Sequence, residues 1–227
     1  IRQAFVGGAT ILPHTHFSLT SALLDRQVTY IYGSTEAEPI ATLSGEQYAS
    51  LLMPNAICVG QKHPNIDVRI IPLTEEHVSV EDGDLGEIVV AGPHVLEDYF
   101  EDDESLRSNK FDYQGKRWHK TGDVGFFLGE NLYYCSRKKY VWKHEGQLMY
   151  PLLFELFLSK NFPKVEGTWL HHNGNQIAFF SVVGKSLQQR ITNEFPFSVD
   201  RVVLVEEIPR DGRHQSRINY ERLIALL

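Results

Sequence analysis

Cysteine is nearly absent from this chain: among 227 residues there are two, Cys58 and Cys135. They lie far apart in sequence and form no metal-type pair. Their scarcity excludes a disulfide framework and points to a reducing, cytoplasmic compartment. Positive charge is short as well. Lys and Arg number 22 against 29 Asp and Glu, a formal net charge of -7, so no nucleic-acid partner is expected, because such binding needs a basic face to displace counterions. No apolar run reaches the roughly 20 residues of a transmembrane helix, and neither an internal repeat nor a low-complexity segment is found. The opening Ile1-Arg2-Gln3-Ala4-Phe5-Val6 reads as a strand rather than a signal peptide. With no initiator methionine, the chain reads as a piece that starts inside a longer protein. What is present is an ordinary globular mixture, 42% hydrophobic and 22% charged, long enough for one large domain or two smaller ones.

The pattern along the chain is α/β and then α+β. Ala4 to Val6 is a short apolar run ending at the turn Gly7-Gly8-Ala9. Phe17 to Leu24 has helical spacing, and Val28 to Tyr32 is a β-branched strand ending at Gly33. Strand, turn, helix, strand is the order of a sheet whose ligand sits at the carboxyl ends of its strands. Val68 to Pro72 and Gly86 to Gly92 read as strands around the acidic turn Glu81-Asp82-Gly83-Asp84. Asp123 to Tyr134 reads as a hairpin turning at Gly129-Glu130-Asn131. After Arg137 the character changes: a helix over Pro151 to Leu158, a hairpin around Asn173-Gly174-Asn175, a helix over Leu187 to Phe195, a strand over Arg201 to Glu206 and a terminal helix over Tyr220 to Leu227. Two domains are expected, residues 1–137 and 138–227, the second of normal domain size.

Three segments can carry chemistry. Glu36, in Tyr32-Gly33-Ser34-Thr35-Glu36, follows a strand end, where a carboxylate can hold Mg²⁺ together with ligand phosphates. The bland reading is a helix N-terminal acid with Ser34 or Thr35 as cap. Asp123, in Thr121-Gly122-Asp123, can accept the two hydroxyls of a ribose; the bland reading is an ordinary turn aspartate. In Ser136-Arg137-Lys138-Lys139, ahead of an expected strand Tyr140-Val141-Trp142-Lys143, a guanidinium can bind ribose or phosphate oxygens. The bland reading there is a solvated charge run. His14 with His16, and His171 with His172, lack the spacing and partners of a zinc site. Ser34 stands in no nucleophile elbow.

In this order the segments resemble the adenylate-forming superfamily of acyl-CoA synthetases, adenylation domains and luciferase-like ligases, with flavour closest to fatty-acyl ligases and β-lactone synthetases. The resemblance implies the C-terminal part of a large α/β-and-β-barrel domain followed by a small hinged α+β domain. It implies that Gly8 and Ala9 lie against adenine, that Tyr32 and Gly33 flank it, that Thr35 meets phosphate and that Glu36 binds Mg²⁺. Asp123 and Arg137 would hold the ribose, and Lys139 would be the pivot of the small domain. Gly86-Glu87-Ile88-Val89-Val90-Ala91-Gly92 with Tyr99 matches a structural strand motif, and Lys143 to Glu155, with Gly146 and Pro151, continues the hinge motif. Ile208-Pro209-Arg210 to Arg217-Ile218 matches the terminal motif.

Two departures qualify the implied activity. Arg217 stands where the family carries a catalytic lysine, and arginine's broad, fixed fork is no conservative replacement at a tight transition state. Ser136 replaces a glycine, a milder change. The Gly/Ser/Thr loop that wraps the β- and γ-phosphates in the family does not occur in residues 1–31, so the chain is expected to be the C-terminal half of a longer enzyme. The activity implied is ATP-dependent activation of a small-molecule carboxylic acid, a fatty acid in this flavour, with Mg²⁺. Transfer of the acyl group to CoA or an acyl-carrier protein, or closure of a lactone, would follow. The alternative is a non-catalytic or split-enzyme module that binds nucleotide or acyl groups.

Overall fold

The computed structural model of the chain describes residues 2–23, 27–73, 81–97, 108–212 and 216–227. Tyr99, and His214 and Gln215 of the terminal segment, lie outside the described residues. The chain forms two compact units, residues 1–8 with 19–139 and residues 9–18 with 140–227. The junction therefore falls at Lys139–Tyr140, and a short early segment groups with the smaller unit.

In the larger unit, β1 (Gln3–Gly7) pairs in parallel with β2 (Gln27–Ser34). The crossover between them contains α1 (Pro13–Ala22). This helix begins four residues before Phe17, because proline lacks an N–H that the first helical position does not use. The remaining strands of the unit are β3 (Ala37–Ser44), β4 (Ile57–Lys62), β5 (Asp67–Ile71), β6 (Gly86–Ala91), β7 (Lys110–Tyr113), β8 (Lys116–Leu128) and β9 (Asn131–Arg137). They make one sheet in the order β1-β2-β3-β4-β9-β8-β6-β5, with β7 on β8. Ser44 caps the short helix α2 (Gly45–Tyr48) by accepting from the Glu46 N–H at 3.3 Å.

Two local expectations are corrected here. The segment after Gly33 is no helix start: Ser34 pairs with Ala37, so Thr35 and Glu36 are the two turn residues of the β2–β3 hairpin. Ser34 Oγ accepts from the Glu36 N–H at 3.3 Å, a side-chain turn rather than a helix cap. Asp123 is likewise not in a turn but inside the 13-residue strand β8, paired with Arg137.

The sheet curls on itself. A single antiparallel bridge, Ala37 to Val95, returns the chain beyond β6 to the start of β3. The strands between them enclose a core of Ile40, Ala41, Ile66, Ile70, Ile88, Val90 and Leu132. Small and β-branched side chains suit this tight interior, since they pack on a pleated, half-buried surface. The other face of β5, β6 and β8 buries Ile71, Val89, Phe111 and Trp118, which is why β6 reads as a continuous apolar run after Glu87.

The smaller unit has a three-stranded sheet: β12 (Gly167–His172) antiparallel to β13 (Asn175–Ser181), which runs parallel to β14 (Arg201–Val205). Asn173 and Gly174 make the hairpin turn with φ of 48° and 81°, the left-handed pair such a turn requires. Helix α3 (Leu152–Asn161) follows Pro151, as its sequence suggests. Helix α4 (Lys185–Glu194) and the terminal helix α5 (Tyr220–Ile224) complete the unit, the last ending before Leu227. The expected strand Tyr140 to Lys143 is corrected: Lys138–Tyr140 is a 3-10 turn, and a short strand β10 (Trp142–His144) pairs with β11 (Gln147–Met149). One face of the three-stranded sheet packs Leu170, Ile177 and Phe179 on Leu223. The aromatic cluster is built on Trp169 and Phe154, each about 5 Å from Phe195.

Candidate active site

The site is organised by Asp123. A left-handed Gly122, φ 70°, precedes it, a conformation a side chain would strain. Thr121 Oγ1 donates to the Ile88 carbonyl at 2.8 Å and accepts from the Asp123 N–H at 3.0 Å, fixing the backbone on both sides of Gly122. The Asp123 carboxylate is then held at both oxygens. Tyr32 donates its hydroxyl to Oδ2 at 2.8 Å, and Arg137 donates Nη1–H to Oδ1 at 2.8 Å and to the Thr121 carbonyl at 3.2 Å. Tyr32 and Asp123 belong to strands four steps apart in the sheet. At about 4.8 Å per step a flat sheet would keep them nearly 20 Å apart, so the curl of the sheet makes this contact.

The electrostatics follow from burial. Asp123 exposes 11% of its side chain and Arg137 46%. Burial and then the Asp123 charge push the Tyr32 hydroxyl well above the usual phenol range, so it stays a donor. Burial alone would lower the Arg137 guanidinium; the Asp123 carboxylate outweighs it, and the net direction is upward. A carboxylate oxygen can accept more than one hydrogen bond, a capacity that suits a partner with two hydroxyls. Tyr134 stands beside the group, its ring 6.3 Å from that of Tyr32.

The hairpin tip with Thr35 and Glu36 is pinned from the side. The Glu36 carbonyl accepts from the Leu96 N–H at 2.7 Å, and the Leu96 carbonyl in turn accepts from Lys110 Nζ. Gly33 is required beneath it, since a Cβ there would stand 2.7 Å from the Ala37 carbonyl oxygen. Thr35 is exposed and Glu36 half-buried. A lone carboxylate here fits Mg²⁺, which takes one or two carboxylates and otherwise phosphate and water oxygens. Among the described residues no group of three or more His, Cys, Asp or Glu is placed to hold a metal by itself.

Two residues in this region escaped the sequence reading. Lys110 and His119 face each other across β7 and β8 and are both buried. The charges of Lys110 and Arg137 oppose protonation of His119, and that of Glu36 favours it. Burial first, then Lys110, push its pKa down to about 4, and it is neutral near pH 7. Its Nδ1 is buried without a hydrogen-bond partner. The signal available in sequence was a His in an otherwise alternating strand, too common to single out.

Of the other expected site residues, Gly8 follows the Gly7–Ile31 pair at the exposed end of β1, next to the strand carrying Tyr32. Ala9 and Arg217 belong to the smaller unit. Arg217 is exposed. Its backbone is fixed by Asp211, whose Oδ1 accepts from the Ser216 and Arg217 N–H groups at 2.9 and 3.0 Å. Lys139 is exposed at the end of the larger unit. The histidines are dispersed: His14 contacts Ser159 at 3.1 Å, His16 is buried, and His171 stacks on Trp142.

Residues 1–100 match the family model described as AMP-binding enzyme. An olefin beta-lactone synthetase of Xanthomonas campestris is 31% identical over 156 residues, covering 61% of this chain and 28% of that protein. An indoleacetate–CoA ligase of Aromatoleum aromaticum is 33% identical over 132 residues, 58% of this chain and 24% of that one. In structure, the O-succinylbenzoate coenzyme A synthetase of Bacillus subtilis, in complex with ATP and magnesium ion, superposes with a TM-score of 0.77 at 23% identity, over 99% of this chain and 46% of that one. The amide bond synthetase McbA of Marinactinospora thermotolerans gives 0.79 at 21% identity, over 100% and 47%. The chain thus shares the fold of part of these two structures, and its first 100 residues are similar to AMP-binding enzymes. It spans about a quarter of the length of these two relatives and under half of the two structures.

Proposed function

We propose that this chain is the part of an AMP-forming acid ligase that holds the nucleoside half of ATP, and that the protein activates a carboxylic acid to its acyl-adenylate. The observation that carries the reading is the Tyr32–Asp123–Arg137 group beside the Glu36 hairpin. It offers a doubly oriented carboxylate for ribose hydroxyls and a separate carboxylate for a hard cation.

In the reaction the acid's carboxylate attacks the α-phosphorus of ATP, and pyrophosphate leaves. Asp123 orients the ribose, and Arg137, itself oriented by Asp123, faces ribose or phosphate oxygens. Tyr32 lines the adenine side, with Gly8 and Ala9 near the base, and Thr35 donates to phosphate. Mg²⁺ held by Glu36 would neutralise phosphate charge. Arg217 supplies positive charge where the family uses lysine. Positioning and charge neutralisation together lower the barrier. Residues 138–227 act as a small mobile domain that turns at Lys139 between two steps, a gating motion of a known kind. A fatty acid as substrate, CoA or a carrier-protein thiol as acceptor, and a cytoplasmic place in fatty acid metabolism complete the proposal. No helix among the described residues is long and apolar enough to cross a membrane.

The test is acid-dependent exchange of labelled pyrophosphate into ATP by the longest native form of the protein, with fatty and aryl acids compared. Exchange with at least one acid is expected; none with any acid favours a non-catalytic nucleotide- or acyl-binding module, the second reading that Arg217 supports.

A further inference from the structure

The end of β9 is gripped by two ion pairs. Arg137 pairs across the strands with Asp123 and is held by its carboxylate. The next residue, Lys138, leaves the strand and opens the 3-10 turn over Lys138–Tyr140. Lys138 Nζ there donates to Glu87 Oε2 at 2.6 Å, and the Glu87 side chain is only 4% exposed. Glu87 lies in register with Val124, which pairs with Ser136 two residues before Lys138. This short contact to a buried side chain ties Lys138 to the larger unit.

Two residues on, the smaller unit takes hold. The Tyr140 ring lies 4.4 Å from that of Tyr220, and its hydroxyl donates to Glu221 Oε1 at 3.1 Å. Both partners are on α5, capped by Asn219, and Arg217 stands two residues before that cap. Tyr220 in turn donates to Glu155 Oε1 at 2.8 Å, which also accepts from Thr168 at 2.7 Å. The first residue of the smaller unit is thereby registered to the element that leads out of the Arg217 loop.

We propose that Lys138 and Tyr140 are a pair of positioning residues bracketing Lys139. Lys138 anchors the junction to the larger unit through Glu87. Tyr140 anchors it to the Arg217-bearing end of the smaller unit through Tyr220 and Glu221. Torsional freedom at the junction is then concentrated at Lys139, and a turn there carries the Arg217 loop with it instead of being lost in slack on either side. The consequence for catalysis rests on the adenylation reading above; the bracket itself does not.

Hydrogen–deuterium exchange on the 227-residue chain tests the bracket without any ligand. Lys138→Met combined with Glu87→Gln leaves no orphaned charge, and amide exchange at residues 136–139 should rise about 10- to 100-fold, the loss of a charge-assisted hydrogen bond. Tyr140→Phe keeps the ring contact and should raise exchange about 2- to 10-fold at residues 140–141 and in α5. Exchange unchanged in folded variants, or raised evenly through a whole unit, overturns the proposal. In the native-length protein, Tyr140→Ala should leave acid-dependent pyrophosphate exchange nearly intact and slow acyl transfer to the thiol. Equal loss of both steps also overturns it. Absence of pyrophosphate exchange in the unsubstituted protein counts against the adenylation reading alone, since the deuterium experiment stands without it.

Discussion

In the larger unit the candidate residues Tyr32, Asp123 and Arg137 sit in strands and hold one another through hydrogen bonds of 2.8 Å. In the smaller unit Arg217 is exposed on a loop, and its backbone N–H donates to Asp211 at 3.0 Å. Their cores differ too, one aliphatic inside a curled sheet, the other aromatic around Trp169. In the larger unit the donors and acceptors of the candidate group already fix one another, which is the preorganisation that the proposed nucleotide role requires. In the smaller unit the rigid part is the buried core, and the proposed cationic residue lies outside it on an exposed loop. Preorganisation is useful where a ground-state ligand must be oriented, and reach is useful where charge develops during reaction.

The largest expected effect breaks the comparison at its aromatic side. Trp169→Ala should cost about 3–5 kcal/mol and shift a calorimetric transition of the smaller unit while leaving the larger one in place. A single shared transition, shifted as a whole, would refute the separation of the two cores. Asp123→Ala should come next. It deprives the Tyr32 hydroxyl and the Arg137 guanidinium of their shared partner and should destabilise the larger unit by about 1–3 kcal/mol. In the native-length protein it should also weaken ATP binding, and an unchanged nucleotide affinity by calorimetry would remove Asp123 from the ribose role.

The third prediction concerns pH. His119 titrates near 4 in the folded protein against an ordinary value of 6.5. As pH falls from about 6.5 to 4, the unfolded chain takes the proton first, so this residue's contribution to stability is lost across that window, by at most about 1.4 kcal/mol per pH unit for one proton. Comparing denaturant midpoints of wild type and His119→Gln from pH 7 to 4 checks it; the variant should show the flatter curve. The smallest effect is expected from Arg217→Lys. Its stability change should stay within about 0.5 kcal/mol, as for other exposed positions, and pyrophosphate exchange should be retained or raised. A collapse of exchange would show that Arg217 is not at the catalytic position.

Much of the fold was legible because its signals are local. The apolar run from Ile88 to Ala91, proline at the head of α3 and the Asn173-Gly174 turn each act within a few residues. A Ser-Thr-Glu run suits a helix cap and a hairpin turn equally, and only the pairing of Ser34 with Ala37 decides for the turn. Asp123 was misread as a turn residue for a similar reason: Gly122 signals a left-handed backbone, and such a residue occurs inside bulged strands as well as in turns. Lys110 and His119 were invisible, since their importance comes from the burial that β7 and β8 impose on them.

The sequence by itself determined the kinds of residue and their order: a carboxylate after a Tyr-Gly strand end, an aspartate after Thr-Gly, a basic run at a change of character, and an arginine in the terminal segment. Order is a property of the chain and survives without coordinates. Only the tertiary structure decided who holds whom. Tyr32 reaches Asp123 across 91 residues because the sheet curls. Lys138 finds Glu87 across 51 because the pairing of β6 with β8 and of β8 with β9 brings Glu87 into register with Val124 and Ser136. Such contacts depend on burial and strand geometry, which no single segment of the chain encodes.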